Sequence, residues 1–243
     1  MITRTMGIFV VALATSVFAA PVTAQDLEPQ LVSFTARDGI QVSGALVLPA
    51  RLPAPGVVLL HMATRNRHDW DATAAALARE GIAALSIDFR RSGGPAAAVR
   101  PGDAGSFADL VRDAEAARAY LAARPEIAPS RIGMAGASLG ANVAALEAAT
   151  DPAVRSMALL SASTDYRGLR IEQAFMTFGG RPALIVASSE DPYALRSARA
   201  LAVIGNGQRE LRVLSGAGHG TVMLARQPEL IDAVVDWFIR TLL

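Results

Sequence analysis

The sequence predicts an α/β fold, a mostly parallel sheet of eight strands with helices on both faces. Two broad observations predict it. Apolar runs suited to buried strands alternate with amphipathic stretches suited to helices. Turn residues then mark the junctions: Asp38-Gly39, Pro53, Pro55 and Gly81 each fall between two such runs. A third observation is local. The run Gly136-Ala137-Ser138-Leu139-Gly140 follows a short apolar strand and opens an alanine-rich helix, which is the context that gives the pattern G-x-S-x-G a meaning beyond its letters.

In chain order, Leu31–Ala36 and Gln41–Leu48 read as an antiparallel hairpin about Asp38-Gly39. Gly56–His61 is a continuous apolar run, as a strand buried on both faces requires. Asp69 is expected to cap a helix from Trp70 to Glu80, and Gly81 to end it. Ile82–Asp88 is the next buried strand. Ser106 and Asp109 resemble a capping box for a helix running to about Ala123, with Leu110, Val111, Ala114, Ala117 and Leu121 inward and Asp113 and Glu115 on its wet face. The serine-bearing strand and its helix follow, then a strand at Ser156–Ser161. Two later strands begin at Arg181 and Glu210. Helices are expected over Asp191–Ile204 and Pro228–Leu243. The last places Leu230, Ile231, Val234, Val235, Phe238 and Leu242 on one stripe, opposite Asp232, Asp236 and Arg240.

The N-terminus reads as a leader. Arg4 precedes the apolar run Gly7–Phe18, which is short for a membrane span, and Val22-Thr23-Ala24 has the small-x-small pattern of a cleavage site. The expectation is a signal peptide over residues 1–24, a single domain over 25–243 beginning at Gln25, and export to a periplasm or beyond, with no membrane attachment once the leader is removed.

Composition narrows the function classes. A net charge of +1 with 19% charged residues implies neither a nucleic-acid partner nor an anionic surface. All 23 basic residues are arginine. With no cysteine, the domain rests on its core rather than on disulfides. Three histidines and no His-Glu-x-x-His give no metal site, and no Walker A pattern occurs, so neither metal nor cofactor is expected. Gly216-Ala217-Gly218-His219-Gly220 lacks the spacing and early position of a dinucleotide loop.

Chemistry therefore rests on Ser138. A serine on so sharp a turn takes a strained backbone with positive φ, and Gly136 and Gly140 flank it because a Cβ there would clash as helix and strand pack. The helix start beside it offers N–H groups to an anion. Two more strand ends carry candidate partners: Glu190-Asp191-Pro192 after one, and His219 between Gly218 and Gly220 after the other. Ser138 needs a base to take its proton, and an imidazole titrating near neutrality suits that task. An adjacent carboxylate would fix the tautomer and stabilise the imidazolium.

From Gly56 to the C-terminus the chain resembles an α/β-hydrolase, most similar to the small, nearly lidless dienelactone-hydrolase-like branch. The resemblance rests on the serine turn, on Leu59–Trp70 as the loop after the third strand, and on Ile87–Pro95, which is similar to the family's Asp-x-Arg-Gly-x-Gly loop. It implies a nucleophile–acid–base order of Ser138, Asp191 and His219, with Asp191 preferred over Glu190 because it occupies the family's Asp-Pro turn. It also implies an oxyanion hole formed by the Leu139 N–H and one from the His61 loop, Ala63 or Met62. Two departures stand out: the branch's namesakes use cysteine where Ser138 stands, and the usual His-Gly is here His61-Met62. His61 is read as hydrogen-bonded scaffold, His68 as a solvated helix entry, and Asp88 as a turn-forming acceptor.

The expected reaction is hydrolysis of small to medium carboxylic esters through an acyl-enzyme, the short span from Ser161 to Arg181 leaving no room for a large lid. The alternatives are a serine exopeptidase of the same fold and a catalytically silent binding protein. Arg65, Arg67, Arg90 and Arg91 fall in the loops after the third and fourth strands, at the sheet edge that presents Ser138. They are candidates for binding a substrate carboxylate. The plainer reading is four solvated arginines in a chain without lysine.

Overall fold

The computed structural model describes residues 27–90 and 104–243. The expected leader and Arg91 lie outside them. Strands β1 (Gln30–Thr35) and β2 (Gln41–Val47) open the fold, followed by β3 (Ala54–Leu60), α1 (Asp71–Arg79), β4 (Ala83–Asp88) and α2 (Ala104–Ala122). Then come β5 (Ile127–Ala137), α3 (Leu139–Thr150), β6 (Val154–Leu160), the two-residue strands β7 (Asp165–Tyr166) and β8 (Leu169–Arg170), and α4 (Glu172–Phe178). The chain ends with β9 (Ala183–Ser188), α5 (Pro192–Leu201), β10 (Arg209–Leu214), α6 (Val222–Arg226) and α7 (Glu229–Leu242).

Eight strands form one sheet in the order β1-β2-β4-β3-β5-β6-β9-β10. Strand β2 runs antiparallel to both neighbours, and every pairing from β4 to β10 is parallel. All seven residues of β3 are buried. Its alternating side chains feed two cores, Val58 and Leu60 into one and Val57 and Leu59 into the other. Helices α2, α3, α4 and α5 cover the first face, and α1, α6 and α7 the second. Trp237 and Phe238 of α7 are fully buried, and Phe238 packs so closely on Gly133 that a Cβ there would lie 2.6 Å from its ring. Each such aromatic contributes roughly 1.5–3 kcal/mol by burial.

Three expectations are corrected. Asp69 does not cap the helix after it. Asn66 caps a short 3-10 turn over Arg67–Trp70 by accepting from the His68 N–H, and α1 then starts at Asp71 with no side-chain cap. The Asp69 carboxylate turns instead to two stronger partners, the Arg65 guanidinium and the Thr221 hydroxyl. Asp113 is not on a wet face. It is fully buried and takes Arg90 Nε at 2.7 Å and the Arg90 N–H at 2.9 Å. Ser106 does not open a capping box, because α2 begins at Ala104 and contains it. The short elements β7, β8, α4 and α6 were not expected from the sequence.

Candidate active site

Ser138 sits between β5 and α3 with φ 52 and ψ −116. Its N–H donates to the Leu160 carbonyl (2.8 Å), and its own carbonyl accepts from Ala141 and Asn142 N–H groups, so both sides of the strained residue are tied down. The flanking glycines are required by close approach. A Cβ on Gly136 would run into the Gly140 carbonyl, and one on Gly140 into the carbonyls of Leu60 and His61. The second contact has a consequence for the site: the start of α3 lies directly against the end of β3, beside the loop from His61 to Arg65.

Two later strand ends converge on the same point. His219 Nε2 lies 2.7 Å from Ser138 Oγ, and His219 Nδ1 is hydrogen-bonded to Asp191 Oδ2. Asp191 is also the N-cap of α5. Its Oδ1 accepts from the Ala194 N–H at 3.1 Å, with Pro192 opening the helix. The cap thus holds the carboxylate with its second oxygen aimed at the imidazole. Glu190 faces elsewhere: it accepts from the Ser188 and Ser189 hydroxyls and from the Gly216 N–H. The Ser188 hydroxyl, first among these, holds the Glu190 carboxyl down at about 2. Glu190 thereby buttresses the histidine loop without touching the ring.

The loop after β3 is built on His61, which is 3% exposed. Burial pushes its imidazole below the usual range. The neutral ring accepts the Phe89 N–H at Nε2 (3.2 Å) and, with the proton then on Nδ1, donates to the Met62 carbonyl (2.7 Å). Met62 packs on the histidine loop, where Gly220 has φ 59 and a Cβ would lie 2.8 Å from the Met62 sulfur. Thr64, also at positive φ, closes the turn. Asp69 is an unforeseen tie between the two loops, taking Arg65 from one and Thr221 from the other; no sequence pattern announces a contact across 152 residues. Asn142 is a second. Its side chain donates to Ser163 and Leu169 carbonyls and accepts the Ser163 N–H, pinning the segment after β6 to the first turn of α3.

The described arginines of the expected carboxylate site are engaged with acids of the chain. Arg65 makes a paired contact with Asp69, Arg67 binds Asp88, and Arg90 bridges Asp38 and Asp113 with only 10% of its side chain exposed. His68 pairs with Asp71 at the surface (2.9 Å). Among the described residues, no group of three or more acidic or histidine side chains is arranged to hold a metal.

A family model described as serine aminopeptidase, S33, matches residues 53–181, just over half of the chain. The chain belongs to this serine aminopeptidase family of α/β-hydrolases. Among solved structures, this α/β-hydrolase is similar to a dienelactone hydrolase from Anabaena variabilis (TM-score 0.73, 19% identity, covering 90% of this chain and 100% of that one). It is also similar to the esterase domain of a Rhodothermus marinus protein (TM-score 0.71, 19% identity, 89% and 100%). In sequence it is 31% identical over 230 residues to a protein of Mycobacterium tuberculosis (strain H37Rv) named as a putative phosphoribosyl transferase, covering 91% of this chain and 48% of that protein. The chain therefore spans about half the length of that curated relative.

Proposed function

We propose that this α/β-hydrolase is a serine hydrolase that cleaves carboxylic esters through an acyl-enzyme, with Ser138 as nucleophile, His219 as base and Asp191 as its acid partner. The observation that carries the reading is the unbroken hydrogen-bonded line from Ser138 Oγ through both nitrogens of His219 to Asp191. It lies at the carboxyl ends of parallel strands, where open α/β sheets place their sites.

Each residue has one task. Ser138 Oγ attacks the ester carbonyl as His219 Nε2 takes its proton. Asp191 holds Nδ1–H and stabilises the positive ring. The developing oxyanion is met by the Leu139 N–H at the start of α3 and by an N–H of Ala63 or Met62; each such donor is worth about 3 kcal/mol. His219 returns the proton to the departing alcohol. It then activates water, which attacks the acyl carbon and frees Ser138. Similarity to an esterase domain and a dienelactone hydrolase supports ester rather than other acyl substrates.

The family description favours one competing reading, an aminopeptidase acting on the same machinery. Rates on a series of p-nitrophenyl esters of increasing chain length, against aminoacyl p-nitroanilides, separate the two. The ester reading expects the higher kcat/KM on short and medium esters. Higher kcat/KM on the anilides would replace it with the peptidase reading, and Ser138→Ala turning over esters like the native protein would remove both.

A further inference from the structure

We propose that Ser161 is a positioning residue for His219, an inference that rests on the esterase reading above. Ser161 follows β6 directly and is fully buried, with φ 52, a conformation in which an L-residue's Cβ crowds its own backbone. Four non-glycine residues among those described have positive φ. Only Ser138 and Ser161 of these are buried. Strain of this kind persists where the surroundings over-determine it, and it gathers at functional sites.

Its consequence lies in where the hydroxyl goes. The Ser161 N–H completes the β6–β9 ladder by donating to the Val186 carbonyl (2.8 Å), and the backbone then turns out of the sheet. The turn brings Oγ to 2.9 Å from the Gly220 N–H, which it accepts. That N–H belongs to the peptide bond joining His219 to Gly220. The carbonyl of the same peptide accepts the Val222 N–H at 3.2 Å. Ser161 and the first turn of α6 therefore hold one peptide plane from both ends, and that plane carries the His219 Cα. Rotating it would swing the imidazole off the line between Ser138 and Asp191. Alanine at 161 would leave a buried N–H unpaired and free the plane to move. Ser188 holds the other side of the loop through the Ala217 and Gly218 N–H groups (both 3.2 Å) but does not reach the peptide after His219.

The test compares Ser161→Ala with Ser161→Gly. Both remove the hydroxyl, but glycine adopts φ 52 without strain and so separates the hydroxyl from the backbone conformation. On a p-nitrophenyl ester, kcat is expected to fall about tenfold to a hundredfold in both variants, with KM within about twofold. The glycine variant should be at least as thermostable as the alanine variant and equally slow. In a His219→Ala background, Ser161→Ala should cause no further loss. Unchanged kcat, a rate that follows Tm across the two variants, or the same loss in the His219→Ala background would each overturn the proposal. The downfield proton resonance of the His219–Asp191 hydrogen bond supplies a readout independent of turnover. It should broaden or shift in both variants, and a spectrum identical to the native one overturns the positioning role. A native protein that hydrolyses no ester defeats the esterase reading alone, and the resonance still decides for Ser161.

Discussion

Asp191 joins a role in the fold to the role proposed for it in the chemistry. Oδ1 caps α5 and Oδ2 meets His219, so the two uses can be separated by substitution. Asparagine is as good an N-cap as aspartate, whereas alanine is not. Asp191→Asn should therefore keep the native Tm while kcat falls by about 10⁴-fold through the wrong histidine tautomer. Asp191→Ala should lose a similar rate and about 1 kcal/mol of stability besides. Glu190→Gln should change kcat only slightly; a larger effect than Asp191→Asn would move the acid role to Glu190. His61 gives a prediction in pH. Its folded-state pKa lies below the ordinary 6.5, so its contribution to stability is present above that value and is lost as pH falls below it. Tm should decline from pH 7 to pH 5, and His61→Gln should flatten part of that slope. A slope unchanged by the substitution would remove His61 as its source. The placement of His61, Asp191 and Ser138 is legible in the sequence because each stands at a strand end beside turn residues. Asp69 and Asp113 depart from the expectation because a local pattern of caps and wet faces cannot register partners such as Thr221 and Arg90 that arrive from distant sequence.

At the scale of elements, the serine turn is readable because close packing demands glycine at two fixed positions. The structure adds that Gly140 sits against β3 rather than merely against its own strand. Gly140→Ala would press a methyl into the Leu60 and His61 carbonyls, which are backbone and cannot rotate away. A loss of about 1–3 kcal/mol or more is expected from the urea midpoint, together with impaired turnover, since the same shift moves the His61 loop. Native-like stability in that variant would show that the turn can relax. The elements that escaped the sequence are all short. Strands β7 and β8 have two residues each and α6 has five, too few for either the twofold or the 3.6-residue period to show. Helix α4 starts with no side-chain cap, so its N-terminus carries no signal. Such segments are ordered by their neighbours, as Asn142 orders the stretch after β6.

Across the whole molecule, the alternating pattern specified the sheet because parallel strands buried on both faces leave long apolar runs, such as β3 and β9, that little else explains. Charge placement was less legible. The arginines at the sheet edge were candidates for a substrate carboxylate, yet Arg90 spans Asp38 and the buried Asp113 and ties the first hairpin to α2. Arg90→Ala would strand the Asp113 carboxylate and should cost about 3–5 kcal/mol near neutral pH. Burial raises the Asp113 pKa, so the deficit should shrink as pH falls and the carboxyl protonates. A stable variant with an altered preference between neutral and acidic esters would restore Arg90 to the substrate. The central claim, that Ser138 is the nucleophile activated by His219, is tested most directly by a fluorophosphonate probe followed by mass mapping of the modified peptide. The account predicts a single adduct on Ser138, absent in Ser138→Ala and formed far more slowly in His219→Ala. An adduct on another residue, or labelling of Ser138→Ala at the native rate, would contradict it.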